Sequence, residues 1–347
     1  MKKVGIVGCG GIAQVHAWVL QNMKDVGLIA FCDSDESKAR RLAEKVYAES
    51  GRIGNRLELV ICSDWKKFLE LDLDVIHLCT PHYLHAPMAM EFLKNGKAVF
   101  VEKPCAITRE QFEELRKADE ANPGRLGFCF QNRYNDATIL LDQWVEDGQI
   151  GKVTGGRAFV TWRRDEEYYA ESDWKGSLLT EGGGALINQS IHTLDLLLRY
   201  LGEPMTVKGS IANHHLSEVG TGKGKTRKIE VEDTVEAWME FQGGKRACFY
   251  ASNGYAADAP VILELQGDKG RITLMGSELT LWRRNAPPEH VDCEREIGMG
   301  KAYWGCGHRA CIRDFYQKLD GREPYQNDLK GVENTFQTMM RIYEDAR

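Results

Sequence analysis

In the first third of the chain, short apolar runs alternate with stretches in which apolar positions recur every three or four residues. Val4 to Val7, Leu28 to Cys32, Leu59 to Ile61, Val75 to Cys79, Ala98 to Val101 and Leu126 to Phe130 predict strands. Ile12 to Met23, Ser37 to Ser50, Trp65 to Leu69, Ala86 to Lys94, Arg109 to Ala121 and Asp136 to Glu146 predict helices. Repeated strand–helix–strand units imply a parallel sheet with helices on both faces. Farther along, the period shifts to two at Val153 to Arg163, Met205 to Asn213, Thr234 to Gln242, Arg246 to Ala251, Val261 to Gln266, Arg271 to Met275 and Glu278 to Trp282. These runs predict the strands of one mixed, mainly antiparallel open sheet. An apolar helix from Ala185 to Tyr200 interrupts them, and helices near Ala310 to Leu319 and Val332 to Ala346 close the chain. The expected organisation is an α/β domain over residues 1–123, ending near the turn Asn122-Pro123-Gly124, and an α+β domain over 124–347.

The chain has 347 residues, 43% of them hydrophobic, enough for two cored domains. Its formal charge of −6 provides no basic footprint for nucleic acid. The densest apolar stretch, Leu194 to Leu201, contains Asp195 and Arg199 and falls short of a membrane span. The 10 cysteines are dispersed without a CxxC pair, which reads as reduced thiols in a cytoplasmic protein. Cys306, His308 and Cys311 offer three ligands where a closed zinc site needs four, so no metal is expected. The segment Gly220 to Thr226 has the look of a phosphate loop, but Val219 stands where the leading glycine belongs and no helix follows; it reads as a mobile basic loop.

The strongest chemical signal is Val4-Gly5-Ile6-Val7-Gly8-Cys9-Gly10-Gly11-Ile12-Ala13, a strand, a glycine turn and a helix start. Gly8 permits the tight turn, Gly10 admits a pyrophosphate, and Ala13 keeps the helix close to the strand. Asp33, at the end of the second strand, is placed to accept hydrogen bonds from ribose hydroxyls. With Asp35 and Glu36 beside it, a 2′-phosphate is disfavoured, which predicts NAD over NADP. Gly8, Gly10, Gly11, Ile12 and Asp33 are the first candidate cofactor contacts.

Three further motifs follow in order: Thr80-Pro81-His82-Tyr83-Leu84-His85, Glu102-Lys103-Pro104, and Gly182-Gly183-Gly184 leading through Asn188 to His192. With the glycine turn, they resemble the Gfo/Idh/MocA oxidoreductases, and the resemblance covers nearly the whole chain. It implies an N-terminal Rossmann domain and a C-terminal substrate-binding domain whose open sheet packs against another subunit, giving a homodimer or homotetramer. It also implies that Thr80, Pro81 and His85 line the cofactor, that Glu102 and Lys103 lie near the nicotinamide, and that a cis bond precedes Pro104. Many such relatives carry aspartate where Asn188 stands, and asparagine cannot act as a base.

Lys103 follows a buried parallel strand at its carboxyl end, where open α/β sheets bind ligands. Beside a nicotinamide its ammonium form is disfavoured, so it can share a proton with a substrate oxygen. Asn188 and His192 are spaced i, i+4, which on one helix puts both on one face, and the preceding glycines leave that helix entrance without side chains. His192 suits proton abstraction and Asn188 suits substrate positioning; Asp195 is a candidate to orient the imidazole or to pair structurally. Gln131 is a further candidate cofactor contact, and Arg133, Arg163, Tyr169, Trp174, Lys175 and His308 are candidate substrate contacts around the expected inter-domain cleft. The expected activity is hydride transfer between NAD and a secondary hydroxyl of a sugar, cyclitol or sugar derivative. Redox-neutral glycoside cleavage with held NAD, and a non-catalytic dinucleotide sensor, are the alternatives.

Overall fold

A computed structural model describes residues 1–50, 60–222, 225–293, 305–319, 321 and 325–347. It divides into two compact units, one of Met1–Gln131 with the described part of Gly298–Gly331, the other of the described part of Asn132–Ile297 with Val332–Arg347.

The first unit runs β1 (Lys2–Val7), α1 (Gly11–Gln21), β2 (Val26–Cys32), α2 (Glu36–Ser50), β3 (Ile61–Cys62), α3 (Lys67–Glu70), β4 (Val75–Leu78), α4 (His82–Lys94), β5 (Ala98–Glu102), α5 (Arg109–Glu120) and β6 (Leu126–Cys129). The strands form one parallel sheet in the order β3-β2-β1-β4-β5-β6, the doubly wound arrangement of a Rossmann domain. Every residue of β4, β5 and β6 is buried, as a sheet covered on both faces requires. Because β6 pairs with β5, this unit extends past the turn at 122–124 that the sequence offered as a boundary. Leu59, expected in the third strand, lies outside the described residues. Helix α4 begins at His82, four residues before its predicted start, and carries Pro87 inside it.

The second unit contains α6 (Asp136–Glu146), β7 (Val153–Thr161), α7 (Glu166–Ala170), a π-type turn (Ala185–Gln189), α8 (Ile191–Leu201), β8 (Pro204–Ala212), β9 (Glu218–Gly222), β10 (Lys225–Lys228), β11 (Thr234–Phe241), β12 (Arg246–Ser252), β13 (Ile262–Gly267), β14 (Gly270–Met275), β15 (Glu278–Arg283) and β16 (Glu289–Asp292). Its eight-stranded sheet has the order β16-β15-β14-β13-β7-β12-β11-β8, antiparallel except where β12 runs parallel to β7. Helix α8 packs against β7 and β13. Alternation along β11 buries Val235, Ala237, Met239 and Phe241 and turns Glu236, Trp238 and Glu240 outward. Of the segment expected as a mobile basic loop, residues 220–222 and 225–226 belong instead to the paired strands β9 and β10, residues 223–224 lie outside the described residues, and the preceding Val219 packs with Ile229 and Val231. That buried valine supplies the anchor that a loop reading omitted. Helix α9 (His308–Leu319) belongs to the first unit, and α10 (Leu329–Ala346) belongs to the second from Val332 onward. No helix among the described residues is long and apolar enough to cross a membrane.

Candidate active site

The glycine turn after β1 has the shape its sequence predicts. Gly8 has φ +86°, and a Cβ there would lie 2.5 Å from the Cys79 carbonyl oxygen, so only glycine fits. Gly10 is exposed, and a Cβ there would meet no atom within 4 Å. Gly11 and Ile12 open α1, which has neither a side-chain cap nor an acidic residue in its first turn. Its free N–H groups and dipole therefore favour an anion. Asp33 is held against this turn: its Oδ2 accepts from the Cys9 amide at 2.8 Å and its Oδ1 from the Asp35 amide at 2.9 Å. The Thr80 hydroxyl is buried with no hydrogen-bond partner among the described residues. An open cradle, an anchored acid and an orphaned hydroxyl together fit a dinucleotide.

His85 is held by the backbone at both ring nitrogens. Its Nδ1 lies 2.8 Å from the Pro104 carbonyl oxygen and its Nε2 2.8 Å from that of Thr80, so it ties the loop after β4 to the loop after β5. Burial lowers its proton affinity, against the opposing pull of those two carbonyls and Glu102. The Lys103–Pro104 bond is cis. Pro81 precedes α4 directly, and Gln131 is buried just after β6, its Oε1 3.8 Å from the Cys129 sulfur.

Beneath Lys103 is a cluster that sequence reasoning missed. Glu102 Oε1 lies 3.0 Å from His16 Nε2; His16 Nδ1 meets His77 Nδ1 at 2.9 Å, and His77 Nε2 meets the Tyr316 hydroxyl at 3.0 Å. His308, expected at the substrate, belongs here: it is buried, with its ring centroid 6.5 Å from that of His16. Burial alone would raise the Glu102 pKa, but the hydrogen bond and charge of His16, with His308 and Lys103, outweigh it and hold the group below the usual carboxylate range. Burial pushes His77 well down and His308 down to about 4. Donor atoms of His16, Glu102 and Cys129 lie within 4.8 Å of one another. The available signal was His77 itself, a polar residue inside the apolar strand Val75-Ile76-His77-Leu78.

In the second unit, the predicted single helix is broken. Ser190 has φ −111° and ψ 2°, its amide bonds back to Ala185 O at 2.9 Å, and its hydroxyl to the same oxygen at 2.7 Å. Asn188 lies in the π-type turn and His192 in α8, so the two stand on successive elements and not on one continuous helix. The glycines serve packing: a Cβ on Gly183 would sit 2.0 Å from the Tyr343 hydroxyl oxygen, and one on Gly184 2.0 Å from the Glu232 carbonyl oxygen.

Around Asn188 the structure assembles a polar network. Asn188 Nδ2 donates to Glu181 Oε1 at 2.6 Å and to the Tyr168 hydroxyl at 3.0 Å. Gln189 Nε2 donates to the same hydroxyl at 2.7 Å, and Gln189 Oε1 accepts from Asn253 at 3.0 Å. Lys175 Nζ stands 3.8 Å from the Tyr168 ring centroid and pairs with Glu171 at 2.9 Å. Trp174 adjoins through its carbonyl, which accepts from Thr180 at 2.7 Å. Of the two adjacent tyrosines, Tyr169 packs with Val219, Ile229 and Val231 while Tyr168 reaches Asn188. Likewise Arg163 is exposed and paired with Asp165, whereas Arg164 is buried over the Trp162 and Tyr168 rings. The Arg133 guanidinium is engaged by Asp195 through bonds of 2.7 and 2.5 Å, and Thr335 bonds the same carboxylate. This pair takes Asp195 into structure rather than toward the imidazole.

A Rossmann unit with an open phosphate turn and an acid at the end of its second strand defines an NAD-binding oxidoreductase. Residues 2–128 match the oxidoreductase family with an NAD-binding Rossmann fold, and residues 139–273 match the GFO/IDH/MocA C-terminal domain. The chain belongs to the GFO/IDH/MocA oxidoreductase family. It is 32% identical to D-glucoside 3-dehydrogenase of Escherichia coli K12, an alignment covering 70% of this chain and 67% of that one. It is 24% identical to inositol 2-dehydrogenase of Rhizobium meliloti over 94% of this chain and 86% of the relative. Among solved structures, the WlbA dehydrogenase of Bordetella pertussis, in complex with NADH and UDP-GlcNAcA, superposes with a TM-score of 0.81 at 24% identity, covering 99% of this chain and 96% of that one. Levoglucosan dehydrogenase in complex with NADH and levoglucosan gives 0.83 at 20% identity, with coverages of 99% and 96%.

Proposed function

We propose that this NAD-dependent oxidoreductase oxidises a secondary hydroxyl of a sugar or cyclitol, a pyranose glycoside being the first substrate class to test. The observation that carries the reading is the Asn188, Gln189 and Tyr168 network, which gathers amide and phenol groups suited to hydroxyl edges two residues before α8 begins. Relatives named for D-glucoside and inositol oxidation support the substrate class.

Gly8, Gly10, Gly11, Ile12, Asp33 and Thr80 would hold NAD, which when bound accepts a hydride from the carbinol carbon. His192 takes the hydroxyl proton and Lys103 stabilises the developing alkoxide. Asn188 fixes the ring by hydrogen bonds, since an amide has no basic function to offer. Ten free cysteines accord with a cytoplasmic location. Trp238, Trp282, Met205 and Met275, large apolar side chains exposed on the strands of the eight-stranded sheet, support self-association into a homo-oligomer.

Mixing the protein with NAD and a panel of methyl D-glucosides, myo-inositol, levoglucosan and sugar acids, while following NADH absorbance, tests the activity. Net NADH formation is expected. Turnover without net NADH would favour redox-neutral cleavage, and NADH binding without turnover of any panel member would favour a sensor. Lys103→Ala and His192→Ala should each lower turnover at least ~100-fold, with His192→Ala keeping NADH affinity. Unchanged turnover in both would overturn the assignment.

A further inference from the structure

Glu181 has no place in the roles assigned so far, yet it is the acid nearest the substrate-positioning amide. It is 1% exposed and receives two short hydrogen bonds, from Asn188 Nδ2 at 2.6 Å on Oε1 and from the Gly176 amide at 2.5 Å on Oε2. With the Tyr168 hydroxyl also accepting from Nδ2, the Asn188 nitrogen is turned toward the protein by two acceptors, and the orientation of the amide plane is thereby set.

We propose that Glu181 is the positioning residue of this site: its carboxylate fixes the Asn188 amide so that Oδ1 is the edge offered to a substrate hydroxyl, and protonation of Glu181 releases that orientation. The proposal rests on the reading of Asn188 as a substrate contact. Its chemistry is an exchange of donor and acceptor. An ionised Glu181 only accepts, so it selects the Asn188 nitrogen. A protonated Glu181 carries a donor that selects the Asn188 oxygen instead, and the amide then presents nitrogen outward.

The surroundings put this exchange in the physiological range. Burial pushes the Glu181 carboxyl up to about 7, against the lowering effects of the Gly176 and Asn188 bonds. Glu232 raises it further and Lys175 lowers it; Tyr169 and Tyr343 also lie within its field, and Arg227 packs against Gly176. Burial also raises Glu232, but two backbone amides and the Tyr343 hydroxyl hold that carboxyl.

Infrared difference spectra of wild type against Glu181→Gln, titrated from about pH 5 to about pH 9, read the carboxyl without any substrate. A midpoint near neutrality is expected, and it should rise by about one unit in Asn188→Ala, which deletes a donor to the carboxylate. A midpoint outside that range, or one unmoved by Asn188→Ala, overturns the hydrogen-bonded pair whatever the enzyme's substrate. With methyl D-glucoside and NAD, wild-type KM should fall as the pH rises through this midpoint. Glu181→Gln should raise KM about tenfold above it, erase the pH dependence of KM, and change kcat much less. Glu181→Gln combined with Asn188→Asp, which restores one acid facing one amide, should recover part of the loss. Intact NADH affinity in each variant reports folding. An unchanged KM profile in Glu181→Gln overturns the positioning role. Absence of turnover in wild type instead counts against the proposed activity and leaves the infrared result to decide the pair.

Discussion

At the turn after β1, a methyl group on Gly10 would meet nothing within 4 Å, whereas one on Gly183, ahead of the π-type turn, would lie 2.0 Å from the Tyr343 hydroxyl oxygen. The first turn is open to solvent; the second is filled by the protein's own α10. The acids beside these two regions differ in the same way. Glu102 and Glu181 are both almost fully buried, and desolvation pushes both pKa values up. At Glu102 the histidines and Lys103 reverse the shift. At Glu181 the Gly176 and Asn188 bonds and the Lys175 charge oppose it without reversing it, and the pKa stays near 7. The contrast teaches that burial sets the scale of the penalty while the nearest cation decides its sign.

The largest effect should come from removing the anion of the first cluster. Glu102→Gln removes the buried carboxylate that bonds His16 and faces Lys103, and loss of a hydrogen bond to a buried charged group costs about 1.5 to 3 kcal/mol. Urea unfolding at about pH 8 reads it. Glu181→Gln under the same conditions should cost less than about 1 kcal/mol, because Lys175 is engaged with Glu171 and the Glu181 carboxylate is held by backbone and amide donors. Comparable losses in the two variants would break the distinction.

A second test uses pH. His308 is held at about 4 when folded and returns toward about 6.5 when unfolded, so in that window the unfolded chain binds more protons and acid destabilises the fold. Glu181 is held at about 7 when folded and returns to about 4.5 when unfolded, so the folded state binds more protons and stability falls as pH rises through the window. Each contribution is at most about 3 kcal/mol, with opposite sign. Melting temperatures of wild type relative to His308→Gln should rise between about pH 4 and 6.5, and those relative to Glu181→Gln should fall between about pH 4.5 and 7. Parallel trends would refute the assignment of one sign to each acid's surroundings.

Much of this was legible in the chain. The parallel strands were located because a sheet buried on both faces needs unbroken apolar runs, and Gly8, Gly10 and Asp33 because a phosphate turn tolerates few residue types. What was missed depends on partners far away in sequence. Arg133 meets Asp195 across 62 positions, and Tyr316 meets His77 across 239, which no local period encodes. Asn188 and His192 were assigned one helix face because the pattern across Ser190 is continuous, although its hydroxyl and amide both turn back to Ala185. Tyr168 and Tyr169 are adjacent and both aromatic, so only the structure separates the one that packs with Val219 from the one that reaches Asn188.

The sharpest test of the two glycine turns comes from alanine at each. Gly183→Ala forces its new methyl group against Tyr343 and should cost about 1 to 3 kcal/mol while leaving NADH affinity unchanged. Gly10→Ala stands at the N-cap of α1 with open space around its Cβ, so unfolding free energy should change by less than about 1 kcal/mol. Its effect falls on the ligand instead: the methyl group occupies the space through which a pyrophosphate reaches the α1 amides, and NADH affinity should drop at least about tenfold. Fluorescence titration of NADH alongside urea unfolding separates the two. If Gly10→Ala binds NADH like wild type, the open turn does not receive the pyrophosphate, and the Asp33 and Thr80 contacts lose their common explanation.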